Sequence, residues 1–139
     1  MTDQVSSERL VHEFGKAWDR CDIEGVLAMM APDVVYQNVP IPEMRGHDAV
    51  RTFITPNMKA AQRMDWVFLH TVSNADGSKV MTERVDSFIF DEGTVACPVM
   101  GIFEIEDGLI KKWRDYADIG SFVRDMTAIG RGPGPGIKA

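Results

Sequence analysis

The chain has 139 residues, 45% hydrophobic and 26% charged, a composition that fits one soluble globular domain with its own core. A formal net charge of -6 argues against a nucleic-acid or anionic-membrane partner. No apolar run approaches the roughly 20 residues of a spanning helix, the start Met1-Thr2-Asp3-Gln4 lacks the basic-then-apolar pattern of a secretory signal, and Cys21 and Cys97 form no Cys-x-x-Cys zinc pattern. A reduced, cytoplasmic protein is the expectation.

Residues 1–7 are polar and read as a flexible N-terminus. Leu10, Val11, Phe14 and Trp18 recur at helical spacing, which predicts an amphipathic helix from Ser7 to Arg20. Asp22 is placed to cap a short helix over Ile23–Met30, ended by Pro32. Val34–Asn38 reads as a strand broken by Pro40 and Pro42. Gly46-His47-Asp48 opens a third helix, which Pro56 is expected to interrupt.

From Asp65 the period changes to that of strands: Trp66–Ser73, Lys79–Phe90, Thr94–Ile105 and Leu109–Ala117. Gly-containing turns separate them, the signature of a meander of hairpins. Pro98 and Gly101 inside one strand suggest a bend or bulge. Asp118–Met126 reads as a short closing helix. Residues 8–127 therefore form a single domain, and 128–139 a Gly/Pro-rich tail of disordered composition. Helices followed by antiparallel strands give an α+β class. The expected packing sets the N-terminal helices on the concave face of a curved, mostly antiparallel sheet, a cone enclosing a pocket.

Charge in two of these strands carries the chemistry. Thr82-Glu83-Arg84-Val85-Asp86 and Trp113-Arg114-Asp115-Tyr116 put carboxylates where Asp is depleted. Side chains alternate across a strand. Arg84 and Asp86 thus share a face with Val80, Thr82, Phe88 and Phe90, while Asp115 shares one with Leu109, Lys111, Trp113 and Ala117. Val34, Tyr36 and Asn38 share another, and Val95, Cys97, Val99, Gly101, Phe103 and Ile105 an apolar one. A buried carboxylate needs a partner, and Arg84 is the cation placed to serve both Asp86 and Asp115. Such a cluster is either a structural ion pair or a poised acid/base unit; charge partners alone do not separate the two. Glu83 and Arg114 fall on the opposite faces. His12, His47 and His70 are scattered and read as surface or satisfied core residues, and the nine methionines as core filler. Neither a phosphate-binding glycine loop nor a nucleophile elbow is present.

Three segments, Tyr36-Gln37-Asn38-Val39-Pro40, Thr82-Glu83-Arg84-Val85-Asp86 and Trp113-Arg114-Asp115-Tyr116, resemble those of the limonene-1,2-epoxide hydrolase family in order and separation. The resemblance runs from about Val11 to Phe122 and includes Gly46-His47-Asp48-Ala49-Val50, Gly101-Ile102-Phe103 and Asp107-Gly108. It implies the cone-shaped fold shared with nuclear transport factor 2 and ketosteroid isomerases, a homodimer, and epoxide hydrolysis without metal, organic cofactor or covalent intermediate. By motif it assigns Asp115 as general base, Tyr36 and Asn38 as its partners in holding the attacking water, Asp86 as general acid, and Arg84 as the bridge. An apolar pocket lining suits a lipophilic epoxide, cyclic and terpene-like. Candidate lining residues, from parity, are Trp18, Phe68, Phe88, Val99, Met100 and Trp113. The Gly/Pro-rich tail and Pro98 depart from the family pattern. Competing readings on the same fold are an isomerase, an epoxide-opening cyclase that uses a substrate hydroxyl as nucleophile, and a non-catalytic binding module.

Overall fold

The helical spacing of the first segment folds as a helix, and it starts earlier than the spacing suggests. In the computed structural model, which describes residues 2–132, α1 spans Gln4–Asp19. Asp3 caps it by accepting from the Ser6 N–H at 2.8 Å, and Ser7 is already buried. Val11, Phe14, Ala17 and Trp18 form its inner stripe. Asp22 caps α2 (Ile23–Ala28) through the Gly25 N–H at 2.9 Å.

Pro32 does not end α2. It lies inside β1 (Met30–Val39), where the pairing of β1 with its neighbour shifts between Met30 and Val35. A missing N–H costs no ladder bond at such an irregularity. The strand ends at Val39, ahead of Pro40 as expected. After the two-residue β2 (Met44–Arg45), α3 runs Gly46–Ala60 and continues through Pro56. Val50, Ile54 and Met58, spaced by four and all buried, hold both sides of the proline against the core. That packing outweighs the one helical bond Pro56 lacks.

The meander follows as β3 (Arg63–Ser73), β4 (Lys79–Phe90), β5 (Gly93–Glu106) and β6 (Leu109–Ala117), closed by α4 (Ile119–Ala128). The six strands form one curled sheet in the order β2-β1-β6-β5-β4-β3. Every pairing is antiparallel except β1 with β6, which is parallel. α1 packs against β3 and α3 against β1, so the helices cover the concave face. Phe14, Trp18, Tyr36, Trp66, Phe103 and Trp113 meet in the core between them. Among the described residues, no helix is long and apolar enough to cross a membrane.

Two expectations about the strands need correction. The β4–β5 register runs unbroken from Lys79↔Glu104 to Phe90↔Gly93, so neither Pro98 nor Gly101 marks a bulge. The irregularity falls instead between Glu104 and Ile105, against β6. Its consequence is that Ile110, not Lys111, turns inward at the start of β6, while Lys111 reaches Asp33. From Trp113 onward the expected alternation holds. At the other end, Arg131 lies 4.3 Å from the Phe90 ring and pairs with Glu92. Of the Gly/Pro-rich tail expected over 128–139, residues 133–139 lie outside the described residues.

Candidate active site

Arg84 is fully buried, and each of its three guanidinium nitrogens donates a hydrogen bond. Nε donates to Asp86 Oδ1 at 2.9 Å, and Nη2 to Asp86 Oδ2 at 3.0 Å. The same Nη2 donates to Asp115 Oδ2 at 2.5 Å, and Nη1 donates to Thr82 Oγ1 at 2.9 Å. One face of the cation lies 4.2 Å from the Trp66 ring. Asp115 Oδ1 accepts from the Trp113 indole N–H at 2.7 Å. Asp86 and Asp115 are each only 6% exposed, so this is a buried, paired cluster, not a surface ion pair.

Gly101 explains how the cluster fits. It sits on β5 opposite Asp115 on one side and Thr82 on the other. A Cβ there would lie 2.6 Å from Arg84 Nη1 and closer still to Asp115 Oδ1. The glycine marks a close approach of side chains to backbone, the second meaning of glycine in a strand.

The parallel pairing of β1 with β6 brings the remaining polar groups in. Tyr36 is opposite Trp113 and Asn38 opposite Asp115. The Tyr36 ring stacks on Trp113 with centroids 4.1 Å apart, and its hydroxyl donates to Asn38 Oδ1 at 3.2 Å. The bond to Asn38 Oδ1 leaves the Asn38 N–H₂ as a free donor and the Tyr36 oxygen as a free acceptor.

Burial dominates the ionisation of both carboxyls. It raises Asp86 to about 7, against the pull of Arg84 and with a further push from Asp115. Burial also raises Asp115, opposed by Arg84 and by the Trp113 N–H. Burial and the charge of Asp115 push the Tyr36 phenol well above its ordinary value, so it stays neutral. The pair thus holds a proton more readily than two exposed aspartates do, and Arg84 stabilises the charge that remains.

Asp86, Asp115, Tyr36 and Asn38 all open onto one cavity. Trp18, Phe88, Val99 and Trp113 line it as expected. Phe68 and Met100 do not. Phe68 lies further along β3, where its ring packs under α1 against Gly15 and His12. Met100 is 48% exposed on the outer face, because alternation from the inward Val99 turns it away. The reading from sequence missed Met64 and Trp66, which β3 parity places inward, and Phe53, Ile54 and Asn57 on one face of α3. It also missed Ile119 and Phe122, which only the fold-back of α4 brings to the cavity. His12 bonds Thr71 and His47 the Met30 carbonyl, both away from the site. Among the described residues, no group of three or more His, Cys, Asp or Glu side chains is placed to hold a metal ion.

The family model for the limonene-1,2-epoxide hydrolase catalytic domain matches residues 5–128. The chain belongs to the limonene-1,2-epoxide hydrolase family. It is 36% identical over 109 residues to epoxide hydrolase EphG of Mycobacterium tuberculosis, covering 78% of this chain and 71% of that protein. A solved LEH-like epoxide hydrolase of M. tuberculosis superposes with a TM-score of 0.75 at 29% identity, over 91% of both chains. Family membership and this relative support epoxide hydrolysis as the general activity. The fold reaches wider. A putative polyketide cyclase of Xanthomonas campestris pv. campestris gives a TM-score of 0.76 at 24% identity, over 87% of this chain and 96% of that one. An NTF2-like protein of Burkholderia pseudomallei K96243 gives 0.74 at 21%, over 86% and 95%. These two show the shared α+β cone alone.

Proposed function

We propose that this chain hydrolyses a lipophilic epoxide, cyclic and terpene-like, to a vicinal diol in one step by general acid/base catalysis. The observation that carries the reading is the single Arg84 nitrogen shared by Asp86 and Asp115, with Tyr36 and Asn38 set beside Asp115 on the cavity wall.

The proposed chemistry follows from the groups. An epoxide is strained, but it opens to a poor alkoxide leaving group, so the ring oxygen has to be protonated as the C–O bond breaks. Asp86, with its carboxyl raised to about 7, is the acid suited to that task near neutrality. Water is a weak nucleophile and needs a base in the same step. Asp115, ionised and fixed by Arg84 and Trp113, takes one water proton. The Tyr36 oxygen accepts the other, and the Asn38 N–H₂ donates to one water lone pair. The second lone pair is then left to attack the epoxide carbon. Each positioned acid or base contributes on the order of 10²–10⁴-fold in rate. Turnover leaves a proton on Asp115 and none on Asp86; one guanidinium nitrogen bonded to both carboxylates offers a route for restoring the pair. The mechanism calls on no metal or organic cofactor.

An isomerase of this kind needs a Tyr hydroxyl and a neutral carboxyl both donating to one substrate oxygen; the Tyr36 hydroxyl donates instead to Asn38 Oδ1, which weighs against that reading. A homodimer is part of the same proposal, supported by the apolar side chains exposed on the outer sheet face, among them Leu69, Met81, Met100 and Tyr116. Sedimentation of the purified chain tests it.

The decisive experiment for the reaction is a single turnover of an epoxide in heavy-oxygen water. One labelled oxygen in the diol is the expected product. Label entering an aspartate first would replace direct attack by a covalent ester route, and a cyclic ether in place of the diol would make the protein a cyclase.

A further inference from the structure

The cavity holds more hydrogen-bonding groups than epoxide opening uses. Tyr36, Asn38, Asp86 and Asp115 are committed to the acid/base site. Asn57 is a further polar side chain on the wall, and its amide makes no hydrogen bond among the described residues. It lies on the cavity-facing side of α3 one turn after Phe53, whose ring stands edge-on to Tyr36 with centroids 5.9 Å apart. Asn57 is half-buried on the cavity wall. Phe53 and Ile54, its neighbours on that wall, are both apolar.

Trp18 and Trp66 stack on each other with centroids 5.5 Å apart and line the same cavity. Their indole N–H groups lack a hydrogen-bond partner but are buried out of reach of anything in the cavity, so they offer a substrate nothing to bond. That leaves the Asn57 amide. A substrate with no oxygen outside the epoxide ring leaves that amide without a partner on this wall. A substrate with its own oxygen, in reach of the wall but outside the epoxide ring, supplies one.

We propose that Asn57 is a specificity-determining residue and that the preferred substrate is an oxygenated lipophilic epoxide, with a hydroxyl or carbonyl remote from the reacting ring. This rests on the epoxide hydrolase reading above and narrows its substrate class. Asn57 suits either group, because its amide both donates and accepts. A site built to bond a substrate oxygen discriminates against the analogue that lacks it, since its polar group is then desolvated without a partner.

The test compares cyclohexene oxide with its hydroxymethyl-substituted analogue in the full chain and in Asn57→Leu and Asn57→Ala. The wild-type protein should favour the hydroxymethyl epoxide in kcat/KM. Asn57→Leu should raise KM for it by roughly 3- to 10-fold, the worth of one neutral hydrogen bond, with kcat little changed. The same variant should lower kcat/KM for cyclohexene oxide less than it does for the hydroxymethyl epoxide. An equal effect on both epoxides in both variants overturns the subsite while the hydrolase reading stands. If neither epoxide is turned over, the hydrolase reading fails on these substrates. Binding then decides the subsite: quenching of tryptophan fluorescence by cyclohexylmethanol and by methylcyclohexane. A preference for the alcohol that disappears in Asn57→Leu supports the subsite, and equal affinity overturns it.

Discussion

Asn38 and Asp115 face each other across the one parallel pairing of the sheet. That register places the amide and the base on the same wall, with the Tyr36 hydroxyl bonded to the Asn38 carbonyl oxygen at 3.2 Å. If these groups share one water, Tyr36→Phe and Asn38→Ala should each lower kcat more than they raise KM. The double variant should lose less than the product of the two single losses, because either change already releases the water. Fully independent losses would separate the two residues. The measurement is a double-mutant cycle in kcat.

The two carboxyls have different tasks and neither is replaceable by an amide. Asp115→Asn and Asp86→Asn should each reduce diol formation by about 10²–10⁴-fold. Circular dichroism should show both variants folded. Near-full activity in either would remove that residue from the mechanism.

Rate should trace a bell against pH. Asp86 works protonated, so kcat/KM should fall as pH rises through about 7, by about tenfold per unit beyond it. Asp115 works ionised, and burial raises it above an ordinary aspartate. The acid limb should therefore set in at a higher pH than an exposed carboxylate gives. Both limbs report the pair and not one residue. A profile flat from pH 5 to 9 would count against the assignment.

Arg84 holds two buried charges, so its loss is a stability event as well as a catalytic one. Arg84→Ala should cost about 3–5 kcal/mol by leaving two carboxylates without their cation. Arg84→Lys keeps the charge but not the fork that spans Asp86, Asp115 and Thr82. It should melt at an intermediate temperature and remain strongly impaired. Thermal melts at pH 7 and at pH 5 check both, with the Arg84→Ala defect smaller at pH 5, where the carboxyls take up protons.

Gly101→Ala tests the tightness of the cluster. The added methyl meets Arg84 Nη1 and Asp115 Oδ1. It should cost about 1–3 kcal/mol and reduce kcat by displacing Asp115, although Gly101 has no side chain to take part in chemistry. Wild-type activity in this variant would show that the two charged side chains have room to shift.

The charged trio was legible in the sequence because strand alternation is a local rule. Val80, Thr82, Arg84, Asp86 and Phe90 are buried on one face as their parity required, and that alone put Arg84 and Asp86 together. Local rules failed where packing overrode them. Pro56 reads as a break but lies in a helix held by Val50, Ile54 and Met58 on both sides. Gly101 reads as a bend but is a cavity for its neighbours' charges. Met100 was misassigned to the lining although parity with Val99 turns it outward.

By itself the sequence determined the class of elements, the meander and the identity of the polar residues, since periodicity and turn chemistry act over a few residues. It did not determine which strand Asp115 would meet. Asn38 and Asp115 are far apart in the chain, and only the parallel β1–β6 pairing sets them in register. Nor did it determine the walls that Asn57 and Phe122 supply, because their place depends on how α3 and α4 close over a sheet formed elsewhere in the chain. Alternation tells a side chain which face to take; what lies across from it is decided by long-range pairing and burial.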